Sequence, residues 1–282
     1  MSAPDVTARR SAFRKLHESG CFVLPNPWDI GTARYLGHLG FKALATTSSG
    51  FSFSRGLPDS GAVTREMALG HIAEIAAATE LPVNADFQAG YAHEPDGVAE
   101  SVRLCVATGV AGLSIEDATG EREPPLYDLP LAVERIRAAR AAIDASGPGV
   151  LLTARAECFL VGHTEPLAES IRRLEGYVAA GADVLFAPGV REPRDIAAIV
   201  AAVAPRPVNV LVASSAGPNV PDLAALGVRR VSVGSGLSRA AWTGFIRAAK
   251  ALAEEGSFAG FDGLVPYDEL DRFFLEDRGG RR

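Results

Sequence analysis

Four charged side chains that could act together stand at the ends of consecutive β-type segments. Asp86, Glu116 and Arg155 each end such a segment, and Glu157 follows Arg155 by two residues. Grouped carboxylates repel one another, so a divalent cation is their natural partner, and Mg²⁺ prefers oxygen ligands. A guanidinium at the end of an apolar strand needs an anionic partner, which a substrate carboxylate would supply. These residues predict a Mg²⁺ site that also binds a carboxylate.

To converge, these side chains need a sheet whose strand ends meet. The chain repeatedly places a longer helical stretch after a short β-type run, which predicts a parallel sheet built from βαβ units. The predicted strands are residues 21–24, 43–47, 82–86, 112–116, 150–155, 184–187, 208–212 and 230–233. The predicted helices are residues 29–39, 64–78, 96–108, 130–145, 166–180, 193–203, 221–226 and 238–255.

Eight such units in about 235 residues fit a closed (β/α)₈ barrel better than an open doubly wound sheet. We therefore predict an α/β protein with a single-domain TIM barrel and an extra C-terminal helix. Residues 1–20 are expected to form an N-terminal helix and lead-in, residues 21–255 the catalytic barrel, and residues 256–282 a C-terminal extension. Active sites of such barrels lie at the C-terminal ends of the strands, where the four charged residues stand.

Composition excludes several other classes of protein. The 282 residues are 48% hydrophobic and 22% charged, which is ordinary for a globular protein and excludes disordered and collagen-like chains. The net charge of −6 argues against a nucleic-acid partner. No apolar run is long enough for a membrane span, and the three cysteines form no CxxC pair, which suits a reducing compartment. We expect a cytoplasmic protein whose partner is a small molecule.

The lysines restrict the possible mechanism. Only Lys15, Lys42 and Lys250 are present, and none stands at the end of a predicted strand. A Schiff-base aldolase needs a lysine inside the barrel mouth. A metal ion rather than an imine should therefore stabilise the electrons released during the reaction.

Several motifs occur in order between about residues 20 and 245, each near the end of a predicted strand. They are residues 22–29, 47–50 with 56–59, 82–86 with 90–91, 114–117 and 154–157. This ordered set resembles the isocitrate lyase/phosphoenolpyruvate mutase superfamily. The resemblance implies a Mg²⁺-dependent site for 2-oxo acids, in which a C–C or C–P bond is made or broken beside the enolate of a pyruvate-like unit.

The resemblance also implies roles for individual residues. Asp86 and Glu116 would be metal-site acids, and Asp59 would hold a metal-bound water. The substrate would be bound by Ser49, by the backbone of Gly50 and Phe51, and by Arg155. Of these residues, Arg155, Glu116 and Ser49 would carry the catalysis. The family habit, together with the apolar C-terminal extension, favours a homodimer or homotetramer.

The segment after the fourth strand would form a lid over residues 119–127, with Arg122 as a contact to the far end of the substrate. Superfamily lyases carry a cysteine and a histidine in this loop. Residues 118–125 contain neither, which argues against isocitrate or methylisocitrate lyase activity.

Two further departures from the family pattern concern the acids. Asn84 replaces the first acid of the Asp-x-Asp pair, and residues 186–189 lack the acid expected near the sixth strand. The main hypothesis is a Mg²⁺-dependent C–C lyase or decarboxylase acting on a small 2-oxo or 2-hydroxy acid. The alternatives are a phosphonomutase or phosphonopyruvate hydrolase-like enzyme acting on a C–P bond, and a non-catalytic barrel that binds small acids.

Overall fold

The computed structural model describes residues 5–59 and 61–280. The strands in this part of the chain are β1 Phe22–Leu24, β2 Leu44–Ala45, β3 Val83–Asp86, β4 Gly112–Glu116, β5 Leu151–Arg155, β6 Val184–Phe186, β7 Val208–Leu211 and β8 Arg230–Ser232. The α-helices are α1 Val6–Leu16, α2 Ile30–His38, α3 Ser48–Ser54, α4 Arg65–Ala78, α5 Pro95–Ala107, α6 Leu129–Ser146, α7 Pro166–Ala179, α8 Pro193–Val203, α9 Val220–Ala225, α10 Gly236–Lys250 and α11 Tyr267–Gly280. Residues 1–4 of the predicted lead-in and 281–282 of the predicted extension lie outside the described residues.

The strands form one parallel sheet in the order β1-β8-β7-β6-β5-β4-β3-β2. Successive strands are neighbours, and β8 returns to β1, where Arg230 is aligned with Phe22. The sheet therefore curls into a (β/α)₈ barrel, which confirms the predicted fold class. The extra C-terminal helix is also present as α11.

The junction between β1 and β2 closes the barrel with few hydrogen bonds. The Ala45 amide donates to the Pro25 carbonyl over 3.0 Å. The buried side chain of Asn26 donates to the Thr46 carbonyl over 2.9 Å and accepts a hydrogen bond from the Val233 amide over 3.0 Å. A side chain thus joins three strand ends where a regular ladder is short.

The main difference from prediction lies after β2. The predicted strand over residues 43–47 is only two residues long, and the chain turns at once into α3. Thr47 is the N-cap of this helix, and its hydroxyl accepts a hydrogen bond from the Gly50 amide over 3.2 Å. A short run of Ser, Gly and Phe has no apolar period of 3.6 residues, so the helix left no pattern in the sequence.

The described residues form two compact units. The larger unit, Asp5–Gly236, contains all eight strands and the apolar core between the sheet and its helices. The smaller unit contains residues 237–280 and exposes large apolar side chains that include Phe245, Phe258 and Leu264. In the described part of the chain, every helix is too short or too polar to cross a membrane.

Candidate active site

Arg155 is the centre of the candidate site. Its Nη1 lies 2.8 Å from Asp86 Oδ1, its Nη2 lies 3.0 Å from Glu116 Oε2, and its Nε lies 2.8 Å from Glu157 Oε1. Arg155 and Asp86 stand on β5 and β3, which are separated by β4, so their contact crosses the interior of the barrel. We call Arg155, Asp86, Glu116 and Glu157 the mouth cluster.

The mouth cluster holds more negative than positive charge. Burial raises the pKa of Glu116, and the nearby carboxylates of Glu157 and Asp86 raise it further, while Arg155 opposes the rise. Burial alone would lower the pKa of Arg155, but Glu116, Glu157 and Asp86 raise it above its usual value. The guanidinium therefore stays charged, and the surplus negative charge is available to a cation.

Asp86 is fixed by the turn that follows β2. Its Oδ2 accepts a hydrogen bond from the Ser48 amide over 2.9 Å, and its own amide donates to Thr46 Oγ1 over 2.9 Å. The Ser48 amide is the first of α3, where backbone N–H groups lack helical partners and favour an anion. The short β2 and the early start of α3 thus position the predicted metal-site acid.

The predicted substrate cradle lies in the same turn, but its amides already have partners. The Gly50 amide donates to the Thr47 hydroxyl and the Phe51 amide to the Thr47 carbonyl. Ser49 Oγ lies 3.3 Å from Thr47 Oγ1, and the Phe51 ring stacks on His71 with centroids 4.0 Å apart. The structure therefore brings these residues beside Asp86, and their part in substrate binding stays a prediction.

Asp59 approaches the mouth cluster from the segment after α3. Partial burial of its carboxyl group raises the pKa of Asp59, and Asp86 raises it further, although the residue as a whole is exposed. Arg155 and hydrogen bonds from Ser48 and Gln88 act in the opposite direction on this pKa. The predicted water-holding acid therefore lies within electrostatic reach of the other acids.

Gln88 is a site residue that the sequence analysis missed. Its side chain acts to lower the pKa of Asp59, and its carbonyl accepts the Glu116 amide over 3.0 Å. Its backbone φ of 47° lies in the left-handed region, which residues other than glycine rarely adopt. Such backbone strain persists where the surroundings enforce it, often at functional sites. No sequence pattern marks this position.

A second missed group lies behind Glu157. The buried carboxylate of Asp117 accepts hydrogen bonds from the Glu157 amide over 2.9 Å, from Arg173 Nη1 over 3.1 Å and from the Tyr177 hydroxyl over 2.5 Å. Burial and Asp117 together raise the pKa of Tyr177, so this hydroxyl remains a donor. Arg173 and Tyr177 stand one helical turn apart on α7, a spacing that could have suggested a shared partner.

The predicted lid, residues 119–127, lies in a short loop that is closed at its base. Ala118 and Leu126 form an isolated antiparallel bridge, and the Thr119 amide donates to the Pro125 carbonyl over 3.0 Å. Arg122 is exposed within this loop. Its predicted contact with the far end of a substrate stays a prediction.

Two histidines and a cysteine that follow the third and fifth strands take structural positions. The Tyr127 hydroxyl lies 2.7 Å from His93 Nδ1, and the Glu165 amide donates to His163 Nδ1 over 3.1 Å. Cys158 is fully buried, and burial raises its thiol pKa to about 11. This environment does not activate a thiolate at neutral pH. Where an acid was expected on β6, the ring of Phe186 lies 5.3 Å from the Arg155 guanidinium.

A separate polar group fills the interior below the mouth cluster. Arg230 Nε donates to Asn209 Oδ1 over 2.8 Å, and its Nη2 donates to Thr153 Oγ1 over 3.1 Å. Thr153 precedes Arg155 by two residues on β5, which places it about 7 Å deeper on the same face. His17 Nε2 lies 3.5 Å from Arg230 Nη1. We call Arg230, Asn209, Thr153 and His17 the floor cluster.

The donor set of the mouth cluster fits Mg²⁺ in chemical type. Asp86, Glu116 and Asp59 offer carboxylate oxygens, and buried like charges in excess of Arg155 favour a divalent cation. Within residues 5–59 and 61–280, no three His, Cys, Asp or Glu side chains form a ready-made metal cluster. Mg²⁺ commonly binds through one or two carboxylates and keeps several waters, which agrees with this open arrangement.

Known proteins with similar sequences include an uncharacterized protein and an enzyme. An uncharacterized protein of Mycobacterium tuberculosis is 36% identical over 261 residues, which are 92% of this chain and 94% of that protein. The oxaloacetate decarboxylase of Rhodopseudomonas palustris BisA53 is 32% identical over 206 residues, which cover 69% of this chain and 68% of that enzyme.

Solved structures agree with these relatives. A protein of Burkholderia cenocepacia J2315, described provisionally as a lyase/mutase, is 46% identical with a TM-score of 0.91 and covers 95% of this chain and 96% of its own. Oxaloacetate acetylhydrolase in complex with oxalate is 28% identical with a TM-score of 0.83, over 97% of this chain and 98% of that one. The sequence profile of phosphoenolpyruvate phosphomutase matches residues 13–253. The relatives of this chain include lyases and mutases, and the chain therefore belongs to the phosphoenolpyruvate mutase/isocitrate lyase superfamily.

Proposed function

We propose that this protein is a Mg²⁺-dependent enzyme that cleaves a C–C bond in a small 2-oxo or 2-hydroxy carboxylic acid through an enolate. The observation that carries the proposal is the mouth cluster, in which one guanidinium is held by three carboxylates at the C-terminal ends of β3, β4 and β5. Two of the relatives named above, an oxaloacetate decarboxylase and an oxaloacetate acetylhydrolase, act on oxaloacetate, which is a 2-oxo acid of this kind.

Arg155 is the proposed anchor for the substrate carboxylate. A guanidinium has five N–H donors, and the three ion pairs engage one donor on each nitrogen, which leaves one on Nη1 and one on Nη2. These two donors remain for a substrate carboxylate. Glu157, at the Nε edge, keeps the guanidinium plane in a fixed orientation.

Asp86 and Glu116, with Asp59 through a water, are proposed to hold the Mg²⁺. Bound there, the ion would supply Lewis-acid stabilisation of the enolate oxygen. Ser49 and the amides of the turn at α3 lie beside Asp86, where they would orient the substrate oxygens. The Gly50 amide would have to leave its present partner, the Thr47 hydroxyl, to do so.

The side chains favour decarboxylation within this class. Loss of CO₂ from a 3-carboxyl group breaks a C–C bond whose electron pair enters the enolate, and no base is needed to begin. Cleavage of a 2-hydroxy acid needs a base to remove the hydroxyl proton. The loop of residues 118–125 supplies neither cysteine nor histidine, and His93 is occupied by Tyr127. A 2-oxo dicarboxylic acid is therefore the preferred substrate class.

The test is Mg²⁺-dependent pyruvate release from oxaloacetate, measured beside a panel of 2-hydroxy acids and phosphonopyruvate. Metal ions decarboxylate oxaloacetate without an enzyme, so the matched control is the Glu116→Gln variant under the same Mg²⁺ concentration. We expect release above this control, and its loss on chelation. Release from phosphonopyruvate alone would favour C–P chemistry instead.

Oxalate binding provides a second test that does not need turnover. Oxalate imitates the enolate of pyruvate, so calorimetry should detect binding that requires both Mg²⁺ and Arg155. Oxalate binding without release from any acid of the panel would indicate a non-catalytic binding barrel. If Mg²⁺ does not promote oxalate binding, the proposed site is wrong.

We also propose that the protein is a homodimer or homotetramer. The C-terminal unit exposes apolar side chains that water disfavours, with Phe258 69% exposed and Leu264 65% exposed. Patches of this kind mark interaction surfaces in globular proteins. Light scattering after size-exclusion chromatography tests the proposal, and a monomer at micromolar concentration would refute it.

A further inference from the structure

The loop of residues 118–126 leaves and rejoins the barrel at one residue, Asp117. The Tyr127 amide donates to the Asp117 carbonyl over 3.0 Å, immediately beyond the bridge between Ala118 and Leu126. Asp117 itself follows Glu116 at the end of β4. Any movement of the loop as a body therefore has to turn about the backbone of Asp117 and Tyr127.

Arg173 joins the two sides of this turning point. Its Nη1 donates to Asp117 Oδ2 over 3.1 Å and to the Tyr127 carbonyl over 2.9 Å, so one nitrogen holds both ends of the loop. Glu169, one turn earlier on α7, accepts from Arg173 Nε over 2.7 Å. The Arg173 side chain is only 7% exposed, so its donors have little access to water as an alternative partner.

The other carboxylate oxygen of Asp117 reaches the mouth cluster. Asp117 Oδ1 accepts the Glu157 amide, and the Glu157 carboxylate accepts Arg155 Nε. A continuous chain of hydrogen bonds thus runs from the loop through Arg173, Asp117 and Glu157 to Arg155. Both oxygens of Asp117 are engaged, and the Tyr177 hydroxyl is the second donor on Oδ2 and the third to this carboxylate.

We infer that Asp117, Arg173 and Tyr177 are positioning residues that couple the loop of residues 118–126 to the orientation of Arg155. Movement of the loop pulls on the Tyr127 carbonyl, which shares Arg173 Nη1 with Asp117, and Asp117 in turn holds the Glu157 amide. The coupling itself rests on these contacts alone. Its consequence for substrate binding rests on the proposed function.

Hydrogen exchange measured on the full chain tests the coupling. The Tyr177→Phe variant removes one donor to Asp117 and keeps the ring, and we expect the Tyr127 and Glu157 amides to exchange about fivefold faster, the effect of one net hydrogen bond. Arg173→Met should accelerate both amides more, and Arg173→Lys should restore part of the protection. Peptides from β8 should exchange at the wild-type rate in all variants.

Arg172→Lys is the matched control. Arg172 is the neighbour of Arg173 on α7 and also pairs with Glu169, over 2.8 Å, but its own side chain is exposed and its hydrogen bonds are to Glu169 rather than to Asp117. This variant should leave both amides unchanged. Faster exchange at Tyr127 without faster exchange at Glu157, or equal acceleration across all peptides, would overturn the inference.

A second arm measures Mg²⁺-dependent oxalate affinity in the same variants. We expect about fivefold weaker binding in Tyr177→Phe, a larger loss in Arg173→Met and a partial recovery in Arg173→Lys. Arg172→Lys should bind oxalate with wild-type affinity. Unchanged affinity in Tyr177→Phe and Arg173→Met would refute the effect on the site. Absence of oxalate binding in the wild-type protein would refute the proposed function, and the exchange arm would then decide the coupling alone.

Discussion

Arg155 and Arg230 are both enclosed by the barrel, yet their surroundings are opposite. Arg155 contacts three carboxylates, which raise its pKa, whereas Arg230 contacts an amide, a hydroxyl and an imidazole, and burial lowers its pKa to about 9. The mouth cluster has an excess of negative charge and two Arg155 N–H donors outside its ion pairs, which suits a ligand-binding site. The floor cluster is neutral apart from Arg230 and fully enclosed, as a structural support requires.

Replacing the two arginines should therefore have unequal effects. Arg155→Met leaves three largely buried carboxylates without their cation, and loss of one partner from a buried ion pair typically costs about 3–5 kcal/mol. We expect a loss of this size in the free energy of unfolding at pH 8, measured with urea, together with loss of Mg²⁺-dependent oxalate binding. A stable variant that still binds oxalate would remove Arg155 from the centre of the site.

The floor cluster should weaken in acid. Burial, and to a smaller extent the charge of Arg230, lower the pKa of His17 to about 3 from its usual 6.5. Below pH 6.5 the His17 imidazole binds a proton in the unfolded chain but stays neutral in the folded protein. The free energy of unfolding therefore falls as the pH drops from 6.5 towards 3. At pH 5 the loss is about 2 kcal/mol. This loss is the part of the change in urea midpoint between pH 7.5 and 5 that the His17→Gln variant lacks.

His17→Gln should remove that part of the acid sensitivity. His71, whose pKa burial lowers to about 4, has the same sign and should remain in the variant as an internal comparison. If His17→Gln and the wild-type protein lose equal stability between pH 7.5 and 5, His17 is not held neutral in the floor cluster.

The mouth cluster should respond to pH in the opposite sense. The raised pKa of Glu116 means that its folded form favours the proton, so its contribution is present at low pH and is lost as the pH rises through its folded pKa. Glu116→Gln should be more stable than the wild-type protein at pH 8 by about 1 kcal/mol, because a buried surplus charge is removed.

Mg²⁺ distinguishes this effect from a general gain in packing. The ion should raise the melting temperature of the wild-type protein at pH 8 and leave that of Glu116→Gln nearly unchanged, since binding to the folded state stabilises it. Equal shifts in both proteins would place the Mg²⁺ elsewhere.

Arg230→Met should have the smallest effect. The variant leaves acceptors on Asn209 and Thr153 unpaired. It also removes a buried charge that has no carboxylate partner among residues 5–59 and 61–280, so the two changes nearly cancel to about 1 kcal/mol or less. Oxalate affinity should equal that of the wild-type protein. A loss comparable to that of Arg155→Met would mean that the floor cluster belongs to the site electrostatically.

The comparison also explains what the sequence could predict. The acids and Arg155 stand at the ends of recognisable strands, and a barrel brings such ends together whatever the details of packing. Helix α3 and the left-handed Gln88 could not be foreseen, because neither has a hydrophobic period. Asp117 was visible beside Glu116, but its partners on α7 are more than fifty residues away, and only packing brings them together.

Arg230 shows a second limit of sequence analysis. Arg230 begins β8 whereas Arg155 ends β5, so the position of Arg230 did not mark it as a site residue. Its partners Asn209 and Thr153 lie on β7 and β5. Because the contact with β5 depends on the closure of the sheet, the floor cluster could not be foreseen from the sequence.

The closure of the barrel between β1 and β2 depends in part on a single side chain. Elsewhere backbone hydrogen bonds join the strands, and among substitutions only proline removes such a donor, but here Asn26 supplies part of the connection through its side-chain amide. The identity of residue 26 therefore affects how tightly the barrel is closed between β1 and β2, next to the turn that holds Asp86. Homologous enzymes that differ at this position could differ in the mobility of the site while keeping every residue that touches the substrate.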